Sequence, residues 1–302
     1  MHIGNGIICP VTGIPMLAAA GVAAFYAFKK AKKDFSKENI FPAVALTALV
    51  FALQMINFAI PATGSSGHII GAILLASLLG ANVAFLAICS ILIVQSVFFA
   101  DGGLLALGCN IFNMGFLACY VAYPLFFKPL QNKNMPALGA LCASVAALQL
   151  GAIAVVIEGA LSGSIAASSL LNFTGLMQAI HLPIGIVEGL VTGILVAAAK
   201  TVNIKKLSYA FAGISLVLAG VISQFASTKP DGLEWSLLNI SDSVVMQTQG
   251  ILYSLSEALQ NKSAVLANMP LGGVAGMVAA AVLMYAICFV MSKKMVVETN
   301  EQ

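Results

Sequence analysis

The chain has 302 residues, of which 60% are hydrophobic and only 8% charged, and its mean hydropathy is +1.01. Soluble domains carry about 25% charged residues, so this composition excludes a soluble globular enzyme and a disordered chain. The net charge of +3 comes from lysines and acids alone. The apolar composition also excludes nucleic-acid binding, and no arginine is present to bind phosphate in a bidentate way. Apolar runs near the bilayer-spanning length predict an all-α polytopic membrane protein.

Nine apolar segments are predicted to span the membrane. They are residues 11–28, 41–60, 69–80, 82–99, 104–127, 136–157, 180–199, 207–226 and 270–291. The third segment is short for an unaided crossing, and its boundary with the fourth lies near Gly80. With the N-terminus outside, every lysine except Lys229 and Lys262 falls in an inner loop, as the positive-inside rule requires. No basic region or small-residue cleavage site precedes the first run, so we expect an uncleaved N-terminus.

The polar stretch at residues 200–206 divides the chain into two predicted domains. Residues 1–202 form a seven-helix bundle, and residues 203–302 form a two-helix hairpin with an external loop at about 227–269. The sequence contains no GxxxxGK[ST], HExxH or GxSxG motif. We therefore expect no enzymatic activity, and any energy for transport has to come from other proteins.

The second residue of the chain is one of only three histidines. The Met1 amine, the His2 amide nitrogen and the His2 Nδ1 atom can close a five-membered and a six-membered chelate ring on one metal ion. Nitrogen ligands in a plane favour Ni(II) or Cu(II) over Zn(II) or Mg(II). The alternative is that His2 has no role and lies on a frayed terminus.

A polar loop between the second and third segments ends in His68, which could supply the fourth nitrogen. Gly64 and Gly67 would allow this loop to approach the N-terminus closely, although a lone histidine here could also simply cap a helix. Ligating imidazoles are normally oriented by hydrogen bonds. The polar residues expected to provide such bonds are Asn57, Ser65, Ser66, Asp101, Asn110, Asn113 and His181. Hydrogen bonding between helices is the alternative role for these side chains.

Two glutamates fall inside or beside predicted spans. Glu188 lies two turns deeper than His181, which is placed at the outer end of the seventh span. An ionised carboxylate at mid-bilayer costs on the order of 3 kcal/mol, so Glu188 should face the bundle interior, either as part of a proton relay or as a residue that locks helices together. Glu158 is expected at the membrane interface. Ala48 and Ala52 show the small-xxx-small spacing of closely packed helices.

Four segments carry a resemblance to a known family. These segments are Met1-His2-Ile3, the loop from Gly64 to His68, the run from Asp101 to Met114, and the run from His181 to Gly189. Together they resemble the CbiM/NikM family, the substrate-capture subunit of nickel/cobalt energy-coupling-factor (ECF) transporters, over residues 1 to about 200. The segment from Pro230 to Trp235 resembles the auxiliary PDGLE/NikN-like subunit of the same systems.

The resemblance implies a metal held by Met1, His2 and His68 at the outer face of the cell membrane. It also implies a transmembrane coupling protein and ABC ATPase subunits as partners, with Ala48 and Ala52 as candidates for the surface that meets the coupling protein. The loop before His68 differs from the form typical of cobalt members, which favours Ni(II) as the transported ion. Co(II) uptake for cobalamin synthesis and an ion-coupled secondary metal carrier are the alternatives. No cofactor is expected.

Overall fold

The computed structural model describes residues 1–298 and is mainly helical. The helices and strands are α1 (Pro10–Asp34), α2 (Ile40–Gln54), β1 (Phe58–Ala59), β2 (Ser66–Gly67), α3 (Ala72–Leu79), α4 (Ala81–Phe99), α5 (Leu107–Asn132), α6 (Pro136–Leu161), α7 (Leu170–Thr201), α8 (Ile204–Gly220), α9 (Gly232–Leu238), α10 (Ile251–Ser263) and α11 (Gly272–Glu298). Single 3₁₀ turns occur at Lys37–Asn39, Ala167–Ser169, Ile222–Phe225 and Ser241–Ser243. The middle of α5, Phe112–Phe127, is wound as a wide π-helix.

Six helices within the described residues are long and apolar enough to cross a membrane. They are Pro10–Lys33, Ala81–Phe99, Leu107–Asn132, Pro136–Leu161, Ala167–Thr201 and Gly272–Lys293. The all-α membrane class is thus confirmed. Helices also form at the other three predicted positions, but α2, α3 and α8 have 15, 8 and 17 residues. At eight residues α3 reaches only about 12 Å, less than the hydrocarbon core of about 30 Å, as the sequence indicated for the third segment. The count of nine spans stays a prediction.

The second predicted segment is shortened because the chain leaves the helical path after Gln54. The Gln54 side chain donates a hydrogen bond from Nε2 to the Ile70 carbonyl at 2.7 Å. Between these two residues the chain folds back as a small antiparallel hairpin, in which Phe58 pairs with Gly67. Gly71 then adopts a φ of +74°, and α3 begins directly after it.

The structure shows where His181 and Glu158 lie within their helices. The segment predicted as residues 180–199 is part of the longer helix α7, which continues through Pro183 without ending. His181 therefore lies inside a helix and is buried, rather than at the outer end of a span. Glu158, near the end of α6, is buried, because α6 packs against its neighbours α5 and α7. Its predicted position at the membrane interface stays a prediction.

The C-terminal region covers one face of the bundle. Helices α8 and α11 both pack against α2, which carries Ala48 and Ala52. Both alanines are buried. Neither side chain is exposed to a partner in this structure, and the predicted role of these alanines as a surface for a coupling protein stays a prediction.

Candidate metal site at the N-terminus

The first residues of the chain are docked inside the bundle. Met1 and Ile3 are 4% and 0% exposed. The Asn110 side chain holds Ile3 from both sides, because Oδ1 accepts from the Ile3 N–H at 2.8 Å and Nδ2 donates to the Ile3 carbonyl at 3.2 Å. The Gly103 N–H donates to the same carbonyl at 2.8 Å. The terminus is thus fixed by hydrogen bonds and by apolar burial, not frayed.

This docking places His2 beside His68. The two imidazole rings are stacked, with centroids 5.1 Å apart and an angle of 26° between the ring planes. His68 is buried and follows Gly67, where any side chain would collide with Ile184 on α7. Within the described residues, His68 Nε2 is buried without a hydrogen-bond partner. It is therefore a free ligand atom next to the N-terminus.

The hydrogen bonds of His2 determine which of its ring nitrogens can bind a metal. Nε2 lies 3.1 Å from Gln95 Oε1. Because an amide oxygen only accepts, Nε2 carries the proton and Nδ1 carries the lone pair. Nδ1 is the atom that the six-membered chelate ring requires. It faces Asp101 Oδ1 at 3.4 Å, so two acceptor atoms meet there, an arrangement that a nearby cation would stabilise.

The surroundings keep both imidazoles neutral. Burial, reinforced by the positive charge of the N-terminal ammonium, lowers the pKa of His2 from 6.5 to about 4. The same two causes lower the pKa of His68 to about 3. Since only the neutral imidazole has a lone pair to donate, both side chains are ready to bind metal at neutral pH.

The N-terminal amine contacts a residue from the far end of the chain. It lies 2.6 Å from Asp231 Oδ2, and both groups are largely buried. Burial alone would raise the pKa of the Asp231 carboxyl, but the adjacent ammonium and its hydrogen bond outweigh burial and hold that pKa below its ordinary value. Sequence reasoning gave Asp231 no role. The only available signal was its place in the Pro230–Trp235 motif.

The loop serines and Asn57 bind the C-terminal region, not the His68 ring. Ser66 Oγ donates to the Lys229 carbonyl at 2.7 Å, and Ser65 Oγ donates to the Pro230 carbonyl at 3.3 Å. The Asn57 carbonyl accepts from the Ser227 N–H at 2.7 Å. These contacts hold residues 227–231 against the hairpin that leads to His68.

The remaining residues predicted to orient His68 have other partners. Asp101 faces His2, Asn110 holds Ile3, and Asn113 Nδ2 donates to Glu158 Oε2 at 2.7 Å. No side chain in the part of the chain that the structure describes hydrogen-bonds the His68 ring, whose Nδ1 lies 3.4 Å from the Ile69 carbonyl. The predicted polar residues instead fix backbone segments around the site.

His181 and Glu188 act separately. The His181 Nδ1–H donates to the Met177 carbonyl at 2.7 Å. Glu188 accepts from the Ile70 and Gly71 N–H groups at 2.8 and 3.1 Å, so it joins α7 to the start of α3. No hydrogen bond among the described residues links the two side chains.

A cavity of about 790 Å³ opens at this end of the bundle. Its lining includes His2, His68, Asp101, Asp231 and Glu234. Residues 1–298 contain no group of three or more His, Cys, Asp or Glu side chains arranged to hold a metal ion. The Met1 amine and the His2 amide are main-chain nitrogens at the same end of the bundle as His2 and His68.

Comparisons with known proteins identify families that match this chain. Residues 2–205 match the family described as the cobalt uptake substrate-specific transmembrane region, and residues 205–294 match the PDGLE domain. A solved transition metal transporter superposes with a TM-score of 0.60 at 33% identity, covering 70% of this chain and 99% of that one.

The names of curated relatives specify either cobalt or nickel, and one example of each is given. The cobalt transport protein CbiM of Acetohalobium arabaticum is 36% identical over 208 residues, covering 64% of this chain and 78% of that protein. The fused nickel transport protein NikMN of Rhodobacter capsulatus is 35% identical over 127 residues, covering 42% of this chain and 36% of that protein.

Proposed function

Because the chain belongs to the family of the cobalt uptake substrate-specific transmembrane region, we propose that it captures Ni(II) for an ECF-type ABC transporter. In this proposal the ion is bound at the outer face of the cell membrane by four nitrogens: the Met1 amine, the His2 amide, His2 Nδ1 and His68 Nε2. A transmembrane coupling protein and ABC ATPase subunits, which are separate chains, energise its release to the inside.

One observation supports the site most strongly. The buried His2 and His68 rings stack beside the buried N-terminal amine, and each ring has an unprotonated nitrogen to offer. A terminal amine, a deprotonated amide and two imidazoles form the planar, all-nitrogen donor set that d⁸ Ni(II) prefers. The absence of a side-chain cluster of metal ligands in residues 1–298 agrees with a site of this kind.

Co(II) uptake is the second candidate, and the family description and the name of the Acetohalobium relative favour it. Co(II) accepts nitrogen ligands but gains less from a square plane than Ni(II) does. The fused architecture is shared with the nickel protein of Rhodobacter. An ion-coupled carrier that uses Glu188 receives no support, because both carboxylate oxygens of that residue accept hydrogen bonds from the main chain.

The test is nickel binding by the purified full chain and by three single variants. His2→Ala and His68→Ala should each lose binding, whereas His181→Gln, which changes the third histidine, should bind like the unmodified chain. Equal binding by all four proteins would overturn the proposed site. Loss of binding in all three variants, with normal folding, would indicate that His181 is also a metal ligand.

A transport assay separates capture from delivery. Uptake of radioactive nickel into cells that express the chain should require co-expressed coupling and ATPase subunits and should stop when ATP is depleted. Uptake driven by a proton gradient without those subunits would instead identify a secondary carrier. Competition between nickel and cobalt in the same assay determines which ion is preferred.

A further inference from the structure

Asp231 contacts the N-terminal amine, the loop before His68 and helix α9. Its Oδ2 atom lies 2.6 Å from the Met1 amine. Its main chain forms a parallel bridge with Ser66, two residues before His68, and the Ser66 N–H donates to the Pro230 carbonyl at 2.8 Å. Its other oxygen, Oδ1, caps α9.

The cap fixes the direction of the Asp231 carboxylate. Oδ1 accepts from the Glu234 N–H at 2.8 Å, and Glu234 Oε2 accepts from the Asp231 N–H at 3.2 Å. This reciprocal capping box holds the side chain in one orientation. One carboxylate oxygen is therefore used by the helix, and the second oxygen points at the amine.

The neighbouring glycine allows the segment to approach this closely. A Cβ atom at Gly232 would lie 3.0 Å from Ile180 Cγ2 and 3.1 Å from the His181 ring. Leu233 is buried next to it. The order of residues in this motif thus has a physical explanation. The Pro230 carbonyl accepts a hydrogen bond from Ser66, and the Asp231 carboxylate contacts the amine. Gly232 allows close contact with α7, Leu233 is buried, and Glu234 completes the helix cap.

We propose that Asp231 is a positioning residue for the metal-ligating N-terminal amine, so that the C-terminal PDGLE region completes the capture site. The proposal rests on the proposed function. When the amine binds a metal it keeps two N–H bonds, and a carboxylate at hydrogen-bond distance can accept from one of them. Acceptors of this kind orient metal ligands and strengthen their donation, and their loss typically weakens metal binding by about 10–100-fold.

The experiment compares substitutions that separate the cap from the amine contact. Asp231→Ser keeps a good N-cap for α9 but is too short to reach the amine, and Asp231→Asn keeps the shape and removes the charge. Glu234→Ala is the matched control, because it removes the side-chain half of the capping box and leaves the amine contact in place. Nickel affinity is measured by calorimetry, and folding is measured by thermal unfolding in detergent.

Asp231→Ser and Asp231→Asn should bind nickel about 10–100-fold more weakly, with unfolding temperatures close to that of Glu234→Ala. A spectroscopic readout tests the role directly: weaker donation by the amine should move the nickel absorption band of both variants to longer wavelength. A purely structural role would leave the band of the bound fraction unchanged.

Two negative outcomes are distinguishable. Nickel affinity and band position equal to those of the unmodified chain in both Asp231 variants would overturn the role of Asp231 and leave the proposed site intact. If the chain with an acetylated N-terminus binds nickel as tightly as the unmodified chain, the amine is not a ligand, and the proposed function fails together with the inference.

Discussion

The clearest quantitative prediction concerns Asn110, which holds the N-terminal strand in place. Asn110→Ala removes both side-chain hydrogen bonds to Ile3. The Ile3 carbonyl keeps its bond from Gly103, so losing one of its two donors costs about 1 kcal/mol. The buried Ile3 N–H is left without a partner, which costs about 1–3 kcal/mol. The docked terminus should thus lose about 2–4 kcal/mol.

Apolar burial limits the effect on metal binding. Met1 and Ile3 remain attached by burial, each contributing about 2 kcal/mol. The docked state therefore becomes less populated without being abolished. Because the apparent dissociation constant rises as the competent fraction falls, we expect nickel affinity to drop about 10–100-fold.

Calorimetric titration of the purified chain with nickel measures this change. Asn113→Ala is the matched control: it is the same substitution one turn along α5, and it removes a bond to Glu158 instead. Affinity should fall in the first variant and stay near that of the unmodified chain in the second. Equal affinities would refute the view that a docked N-terminus is required for capture.

Three other changes have defined outcomes. Glu188→Gln leaves one acceptor for the two N–H groups at the start of α3, so its thermal unfolding temperature and nickel affinity should both fall; an unchanged protein would show that this contact does not support the His68 loop. Gly108→Ala places a methyl group against the α1 backbone and should destabilise the fold by about 1–3 kcal/mol, whereas Gly175→Ala, which meets nothing within 4 Å, should not. The pKa values of His2 and His68 are lowered to about 4 and 3 in the folded chain. Between pH 6.5 and pH 4 the unfolded chain therefore binds protons on these histidines that the folded chain does not bind. The unfolding temperature should decrease as the pH falls through that range. A flat profile would contradict the lowered pKa values.

Much of the candidate site follows from local chemistry. The chelating capacity of Met1 and His2 depends only on their being consecutive at a free amine, and the polar loop with His68 stands out against apolar segments. The structure brings these residues together. Hydropathy likewise located the helices, because apolar runs are a local signal.

Long-range contacts could not be predicted in the same way. Asp231 is 230 positions from Met1, and no pattern in the sequence pairs a carboxylate with a distant amine. Hydropathy also overestimated α2, because residues 55–60 are apolar enough to extend a span, yet they form part of a hairpin fixed by Gln54 and Ile70. Glu158 is buried by helix packing that a sequence does not specify.

The proposed site holds one nickel ion in a plane of nitrogens from the N-terminal amine, His2 and His68. It is tested by the visible absorption spectrum of the purified chain during nickel titration, with the natural N-terminus and with the terminal amine blocked by acetylation. A yellow, diamagnetic one-to-one complex should form with the natural terminus and disappear on acetylation, because the acetylated nitrogen has no lone pair to donate. No such band with the natural terminus, or an identical band after acetylation, would contradict the proposed site.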